Sequence, residues 1–410
     1  MITSSIYQSV KTEHEAICPS NVVIELDNER LLAVQAEELW GQISEDVGKT
    51  WTNPFRFTQN GSPMNGKPSG GCSLVLLSDG RLGMCYYVQG DSNAASYETR
   101  LWKFTISEDE GHSWGDAYPI DIPGGHDLSM GKFDQYLWGK AIQLSTGRIV
   151  LPVYWLNSGR HKGMPPTYAD PVTATLKGNL ITRVADGHLY EAAMAGCYTY
   201  HSDDLGQTWQ RSLGSVMVWP LSSENHVGGF GATTEPIMIE LKNGSVMMHM
   251  RTNVGQILQS FSKDGGHEWS QSEMSGLTSG DVPSWLGRLK TTGDILTIWN
   301  QTSPEEIKRG YSRGRLSIAI SNDEAKTWTR HQTVALSQGL DPIEYVEPPL
   351  LRHVRSDSNL GTLPDNYARF DYPRVAFVQE QVVLLYKAVD HVDGKWLPRH
   401  ILATVPEKDL

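Results

Sequence analysis

One octet returns five times along the 410-residue chain: SEDVGKTW (44–51), SEDEGHSW (107–114), SDDLGQTW (202–209), SKDGGHEW (262–269) and SNDEAKTW (321–328). A unit repeated this regularly cannot bury its apolar face alone and must stack on copies of itself. The chemistry of the octet is that of a turn. Its Ser and Asp side chains can fold back onto local backbone N–H groups, its Gly permits positive φ, and its Trp plugs the sheet beneath. Only the last octet departs, with Ala325 where the others carry Gly.

The octet Asp residues, at 46, 109, 204, 264 and 323, are 63, 95, 60 and 59 residues apart. Such intervals suit a four-stranded sheet with its loops and exceed the roughly 40–45 residues of a WD-type repeat. Upstream of each octet, apolar residues alternate around an Asn, Asp or Gly turn, at 22–35, 73–87, 141–155, 237–251 and 286–300, and a sixth such hairpin, 375–387, has no octet after it. Six hairpins predict an all-β fold, a six-bladed β-propeller of four-stranded antiparallel blades with the octets at hairpin tips. Propellers grow by adding blades, so residues 1–410 are expected to form a single domain. The last strand, 399–405, leaves the sixth blade one strand short. SSIYQSV (4–10) is expected to complete it as a clasp between the chain ends.

Composition narrows the partners. A net charge of −12 without a Lys/Arg cluster argues against nucleic acid. No run of 18 apolar residues is present, so no membrane span is expected. MITSSIYQSV lacks the basic start and apolar core of a signal peptide, which predicts a cytoplasmic protein, or a secreted or periplasmic one if a leader has been removed. The four cysteines, at 18, 72, 85 and 197, have no metal-ligand spacing and read as buried thiols. No metal or other cofactor is expected. The longest irregular stretches, 157–190 and 337–370, carry Pro, Gly and mixed charge, as functional loops do.

The octets and six hairpins resemble the Asp-boxes and blades of the sialidase superfamily of propellers, and the resemblance covers nearly the whole chain. Related propellers include exo-glycosidases, polysaccharide lyases and binding modules, so the fold does not choose among them. The hairpins supply coordinates for a site. About nine residues before each turn stand Ser20, Gly71, Trp138, Glu235, Ser284 and Tyr372; about seven after it stand Glu37, Tyr87, Tyr154, Arg251, Asn300 and Lys387. Antiparallel neighbours begin and end at one edge, so both sets are expected on one face of the disc.

In TTEPIMIELKNGSVMMHMRTN, Glu235 opens one strand and Arg251 closes its partner, similar to the sialidase segment in which a Glu assists a nucleophilic Tyr and an Arg binds the substrate carboxylate. The alternative is a structural ion pair at the hairpin edge. FDYPRVAF resembles the segment in which that Tyr opens the last blade, which selects Tyr372, with Glu235 as its base; otherwise Tyr372 is a packing residue at the axis. Sialidases also carry an Arg about eight residues before an Asp-box Ser. That position is Arg313 in GYSRGRLSIAISNDEAKTW, with Arg315 competing. Two guanidinium groups on one carboxylate make bidentate, charge-assisted bonds.

The resemblance breaks in the first blade. AICPSNVV places Ile17 where sialidases carry the first Arg of three, and AVQAEELWGQ shortens the loop that carries their Asp acid/base. Glu37 or Glu38 substitutes there, with Asp134 in HDLSMGKFDQYLWGKA as a further acid. His249 shares a strand face with Arg251, and Tyr87, Tyr154 and Trp138 can stack on sugar rings. Three functions fit these residues. The first is an exo-acting, sialidase-type glycosidase removing an acidic sugar from a glycan by way of a Tyr nucleophile. The second is a hydrolase or lyase of uronate-containing polysaccharide, and the third is a propeller that binds glycans without catalysis.

Overall fold

The computed structural model describes residues 14–15, 22–36, 39–64, 72–89, 100–120, 127–128, 131–132, 134–137, 139–157, 174–176, 179–181, 194–218, 233–309, 311–343, 345–348, 367–392 and 395–410. Each of the six hairpins seeds an antiparallel sheet whose strands follow one another in chain order. The first is Val22–Glu25, Leu31–Gln35, Trp40–Ser44 and Phe55–Arg56, and the second is Ser73–Leu76, Leu82–Gln89, Arg100–Ser107 and Tyr118–Ile120. In the third, Asp134–Leu137 and Ile142–Gln143 both pair with Ile149–Asn157, followed by Met194–Ser202 and Gln210–Arg211. The fourth is Thr233–Glu240, Val246–Thr252, Gln256–Ser262 and Glu273–Thr278; the fifth is Trp285–Arg288, Ile295–Trp299, Arg315–Ser321 and Thr329–Leu336. The sixth consists of Ala368–Val378, Gln381–Val392, Lys395–Pro406 and His14–Glu15.

Apolar side chains pack sheet against neighbouring sheet. Leu32, Val34, Leu74 and Met84 join the first to the second, Val75, Phe104, Leu151 and Tyr198 the second to the third, and Val150, Cys197, Met238 and Met248 the third to the fourth. Ile237, Leu286, Ile298, Phe377 and Leu384 unite the last three, and Val23 and Leu31 meet Ala376 and Leu385 to bring the sixth sheet back onto the first. The architecture is a propeller of four-stranded antiparallel blades.

Three expectations are corrected. Counted by sheets of three or more strands, the described residues form seven, not six. The seventh combines Thr58–Gln59 and Ser62–Pro63, in the connection between the first two hairpins, with Ser113–Trp114 of the second octet. These two-residue strands have no alternation for a hairpin census to register, and one pairing is parallel. The clasp exists, but His14–Glu15 makes it by pairing with Leu402 and Ile401; residues 4–10 lie outside the described residues. Within 157–190, expected to be irregular, Ala174–Leu176 and Asn179–Ile181 form a small hairpin.

The octets link third to fourth strands, and the first four share one hydrogen-bond pattern. In the second, the Ser107 hydroxyl accepts from the Gly111 N–H at 2.8 Å, Asp109 accepts from the Ser113 N–H at 2.7 Å, and Trp114 Nε1 donates to the Gly111 carbonyl at 2.9 Å. Of the described cysteines, Cys72, Cys85 and Cys197 are buried free thiols. Among the described residues no helix is long and apolar enough to cross a membrane.

Candidate active site

Two inner strands share a local irregularity. In the fourth sheet the register runs from Thr234 opposite Arg251 to Ile237 opposite His249, and in the sixth from Asp371 opposite Lys387 to Arg374 opposite Leu385. Each strand therefore carries one extra residue, a β-bulge, at an X-Pro step: Glu235-Pro236 and Tyr372-Pro373. Proline has no N–H to give the ladder, which makes a bulge its natural place within a sheet. The residue before it takes positive φ, 45° at Glu235 and 53° at Tyr372. A non-glycine residue held there costs about 1–3 kcal/mol and is released from the strict alternation of the strand.

Around these two residues the side chains form a charged cluster. Arg251 Nη1 donates to Glu235 Oε2 at 2.7 Å, and Arg251 Nε donates to Asp281 Oδ1 at 2.8 Å. Arg313 Nη1 donates to Asp371 Oδ1 at 2.9 Å, Arg369 Nε lies 3.1 Å from Asp371 Oδ2, and Arg313 Cζ sits 5.1 Å from the centre of the Tyr372 ring. Burial opposes the charge of Arg251, but Asp281, Glu235 and Tyr372 outweigh it and hold the guanidinium well above its ordinary pKa. Arg313 is likewise raised: burial opposes its charge and Arg251 repels it, while Tyr372, Asp371 and Glu235 prevail. Glu235 and Tyr372, though 137 residues apart in sequence, thus act on the same two guanidinium groups.

The elements beneath fix these positions. Gly280, beside Asp281, packs so closely on the Arg313 turn that a Cβ there would lie 2.8 Å from Ser312 Cβ. That turn is closed by the Gly314 N–H on the Tyr311 carbonyl at 3.0 Å, and the Arg313 carbonyl accepts from the Phe370 N–H at 2.9 Å. The buried Asn300 amide donates to the carbonyls of Arg313, Arg315 and Phe370 at 3.3, 3.3 and 3.1 Å, tying the Arg313 turn to the strand that bears Tyr372. Gly139 makes a close approach of its own beside Glu235, where a Cβ would collide with the Pro236 carbonyl oxygen.

The other candidates fare differently. Arg315 is 1% exposed, held by Glu306 and by the Gln301 and Asp341 carbonyls, and serves to anchor the short helix Pro304–Lys308. Arg315 opens the strand Arg315–Ser321, whereas Arg313 lies in the turn before it. His249 is fully buried and edge-on to Trp328 at 5.6 Å, which leaves it no surface for a ligand. Tyr154 is half-buried against the apolar residues between the third and fourth sheets. Tyr87 and Asp134 lie on strands, but their side chains, like all of Glu37, Glu38, Trp138 and Ile17, fall outside the described residues. Sequence reasoning missed Asp281, Asp371 and Arg374. Asp371 and Arg374 flank the YP step already singled out and were legible as its charged neighbours; Asp281, in a loop, carries no pattern.

A family model described as "BNR repeat-like domain" matches residues 37–384. The chain belongs to this BNR repeat-like family. It is 26% identical over 245 residues to an anhydrosialidase of Macrobdella decora, a match covering 57% of this chain and 25% of that protein. The chain therefore spans about a quarter of the length of the curated relative it matches. Among solved structures, the Hadza microbial sialidase Hz136 superposes with a TM-score of 0.56 at 14% identity, covering 95% of this chain and 65% of that one. A Trypanosoma rangeli sialidase in complex with 2,3-difluorosialic acid, described as a covalent intermediate, gives 0.51 at 13% identity, covering 95% and 54%. At these identities the superpositions establish a shared fold. In this chain the cluster lies on the fourth, fifth and sixth sheets.

Proposed function

We propose that this protein is an exo-acting glycoside hydrolase of the sialidase type, which removes a terminal acidic sugar from a glycan with retention of configuration. One observation carries the reading: Glu235 and Tyr372 occupy matching positive-φ bulges before proline and act on the same pair of arginines. Arg251 and Arg313 each spend part of their donor set on acids of the protein, and among the described residues Nη2 of each makes no hydrogen bond, leaving donors for a substrate carboxylate. Glu235 takes the phenol proton as Tyr372 Oη attacks the anomeric carbon. The glycosidic bond breaks, and an acid protonates the departing oxygen. Glu37, Glu38 and Asp134 are the proposed candidates for that acid. Water, giving its proton to the carboxylate left by that acid, then attacks the anomeric carbon and breaks the glycosyl–tyrosine bond, and Glu235 returns the phenol proton to Tyr372. A neutral phenol approaches a carboxylate-bearing anomeric centre with less repulsion than a carboxylate nucleophile meets. The covalent intermediate described for the T. rangeli sialidase accords with this chemistry.

The test is trapping. A 2,3-difluorinated acidic glycoside is expected to leave an adduct on Tyr372 detectable by peptide mass spectrometry, and Tyr372→Phe and Glu235→Gln are each expected to lower turnover nearly as far as the double variant, since the two act as one unit. Turnover without an adduct, surviving in Tyr372→Phe, would transfer the protein to a uronate hydrolase or lyase mechanism. Binding of an acidic glycan without turnover would make it a recognition module.

A further inference from the structure

Arg374 stands two residues after Tyr372, just past the bulge, and in register with Leu385. Its guanidinium carbon lies 4.5 Å from the centre of the Trp285 ring. Trp285 is 5% exposed and opens the inner strand of the fifth sheet. The electrostatic neighbours of Arg374 are Glu235 and Tyr372, at the bulges of the inner strands of the fourth and sixth sheets, and Cys72, which precedes the inner strand of the second. Four sheets thus bring their inner strands to this one guanidinium, which places it at the axis, beside the cluster that holds Glu235 and Tyr372. Burial lowers its pKa to about 10, with Glu235, Cys72 and Tyr372 opposing, so it stays cationic at neutral pH. An indole face holds a guanidinium through its quadrupole without cancelling the charge.

We propose that Arg374 is a specificity-determining residue of this site, a neighbouring cation that makes the pocket prefer an anionic sugar over its neutral counterpart. The inference rests on the reading of the site as one for an acidic sugar. Arg251 and Arg313 hold the carboxylate by hydrogen bonds from the fourth and fifth sheets; Arg374 acts from the sixth by potential, in a low-dielectric setting where that potential reaches the ligand. Its loss therefore weakens discrimination by charge more than it weakens binding of the sugar as such.

The experiment compares kcat/KM for 4-methylumbelliferyl α-sialoside with that for its methyl ester, in the parent protein, in Arg374→Met and in Arg374→Lys. The Met variant is expected to lose about 10-fold or more of the preference for the acid, mainly through KM, while the Lys variant keeps it within about 3-fold. Equal loss on both substrates in Met, or a Lys variant that loses the preference as fully as Met, would mean that Arg374 only supports the fold and would overturn the inference. An insoluble Met variant leaves the decision to Lys. If the parent turns over neither substrate, hydrolysis fails as the function, and calorimetry with sialic acid and its methyl ester then decides: a preference for the acid that vanishes in the Met variant sustains the inference. A parent that binds neither overturns both readings.

Discussion

Arg251, which the proposed function assigns to the substrate carboxylate, is also a structural residue. It is buried between Glu235 and Asp281, so Arg251→Ala would leave two acids without their cation, and breaking such a pair costs about 3–5 kcal/mol. Arg251→Lys separates the roles. It keeps the charge and loses the fork, and is expected to fold while lowering kcat/KM on an acidic glycoside by at least about 10²-fold. Unchanged kinetics in that variant would remove Arg251 from the site. His249 is a second residue whose environment is measurable. Burial lowers its pKa to about 3, opposed by Gln259, whereas an unfolded histidine titrates near 6.5. Between those values the unfolded chain binds the extra proton. His249 thus contributes stability that is full above about pH 6.5 and is lost as the pH falls toward 3. A His249→Gln variant is expected to show a smaller drop in Tm between pH 7 and pH 5 than the parent. An equal drop would mean that other groups carry the acid sensitivity.

At the scale of the element, the octets test how much one atom matters. Gly206 has φ 86°, and a Cβ there would collide with the Phe104 ring between the second and third sheets. Gly206→Ala adds αL strain to overpacking and is expected to destabilise by about 2 kcal/mol or more, read as a lower denaturant midpoint. Ala325 already occupies the matching place at φ 62°, with its methyl buried in the core of the last three sheets. Strain relief and lost packing then nearly offset each other, so Ala325→Gly is expected to stay within about 1 kcal/mol of the parent. A large loss there would show that the fifth octet depends on its methyl. This octet differs in a second way: Trp328 Nε1 is buried and finds no acceptor among the described residues, whereas the other four octet tryptophans each donate to the carbonyl of the turn glycine.

For the molecule as a whole, closure rests on few bonds. His14–Glu15 pairs with the edge of Lys395–Pro406, and near the axis Glu25 accepts from Lys140 of the third sheet at 2.9 Å and from the Phe377 N–H of the sixth at 2.9 Å. Removing residues 1–20 uncovers the edge of the last sheet, and exposed edges pair with other chains. That truncation is expected to lower Tm by several degrees and to raise light scattering on heating. An unchanged melting profile would mean that packing of Val23 and Leu31 on Ala376 and Leu385 closes the ring unaided.

What the amino-acid sequence determined by itself was local and periodic. Each octet encodes its own turn, because its Ser and Asp side chains bond to one another and to backbone N–H groups within eight residues. Each hairpin encodes its own pairing, because alternation and a turn suffice for two strands. The choice of Glu235, Arg251, Arg313 and Tyr372 came from resemblance to a known family, and their convergence depends on contacts between residues far apart in the chain. Only tertiary structure decided between Arg313 and Arg315: the first lies in a turn pressed against the Gly280 loop, and the second is consumed by Glu306. It likewise buried His249, withdrew Tyr154 into the packing between sheets, brought Asp281 from an unpatterned loop onto Arg251, and seated Arg374 on Trp285. The physical reason is that turns and strand pairs are fixed by neighbours in sequence. Side-chain partners at the axis are fixed by how separate sheets pack, and no periodicity records that.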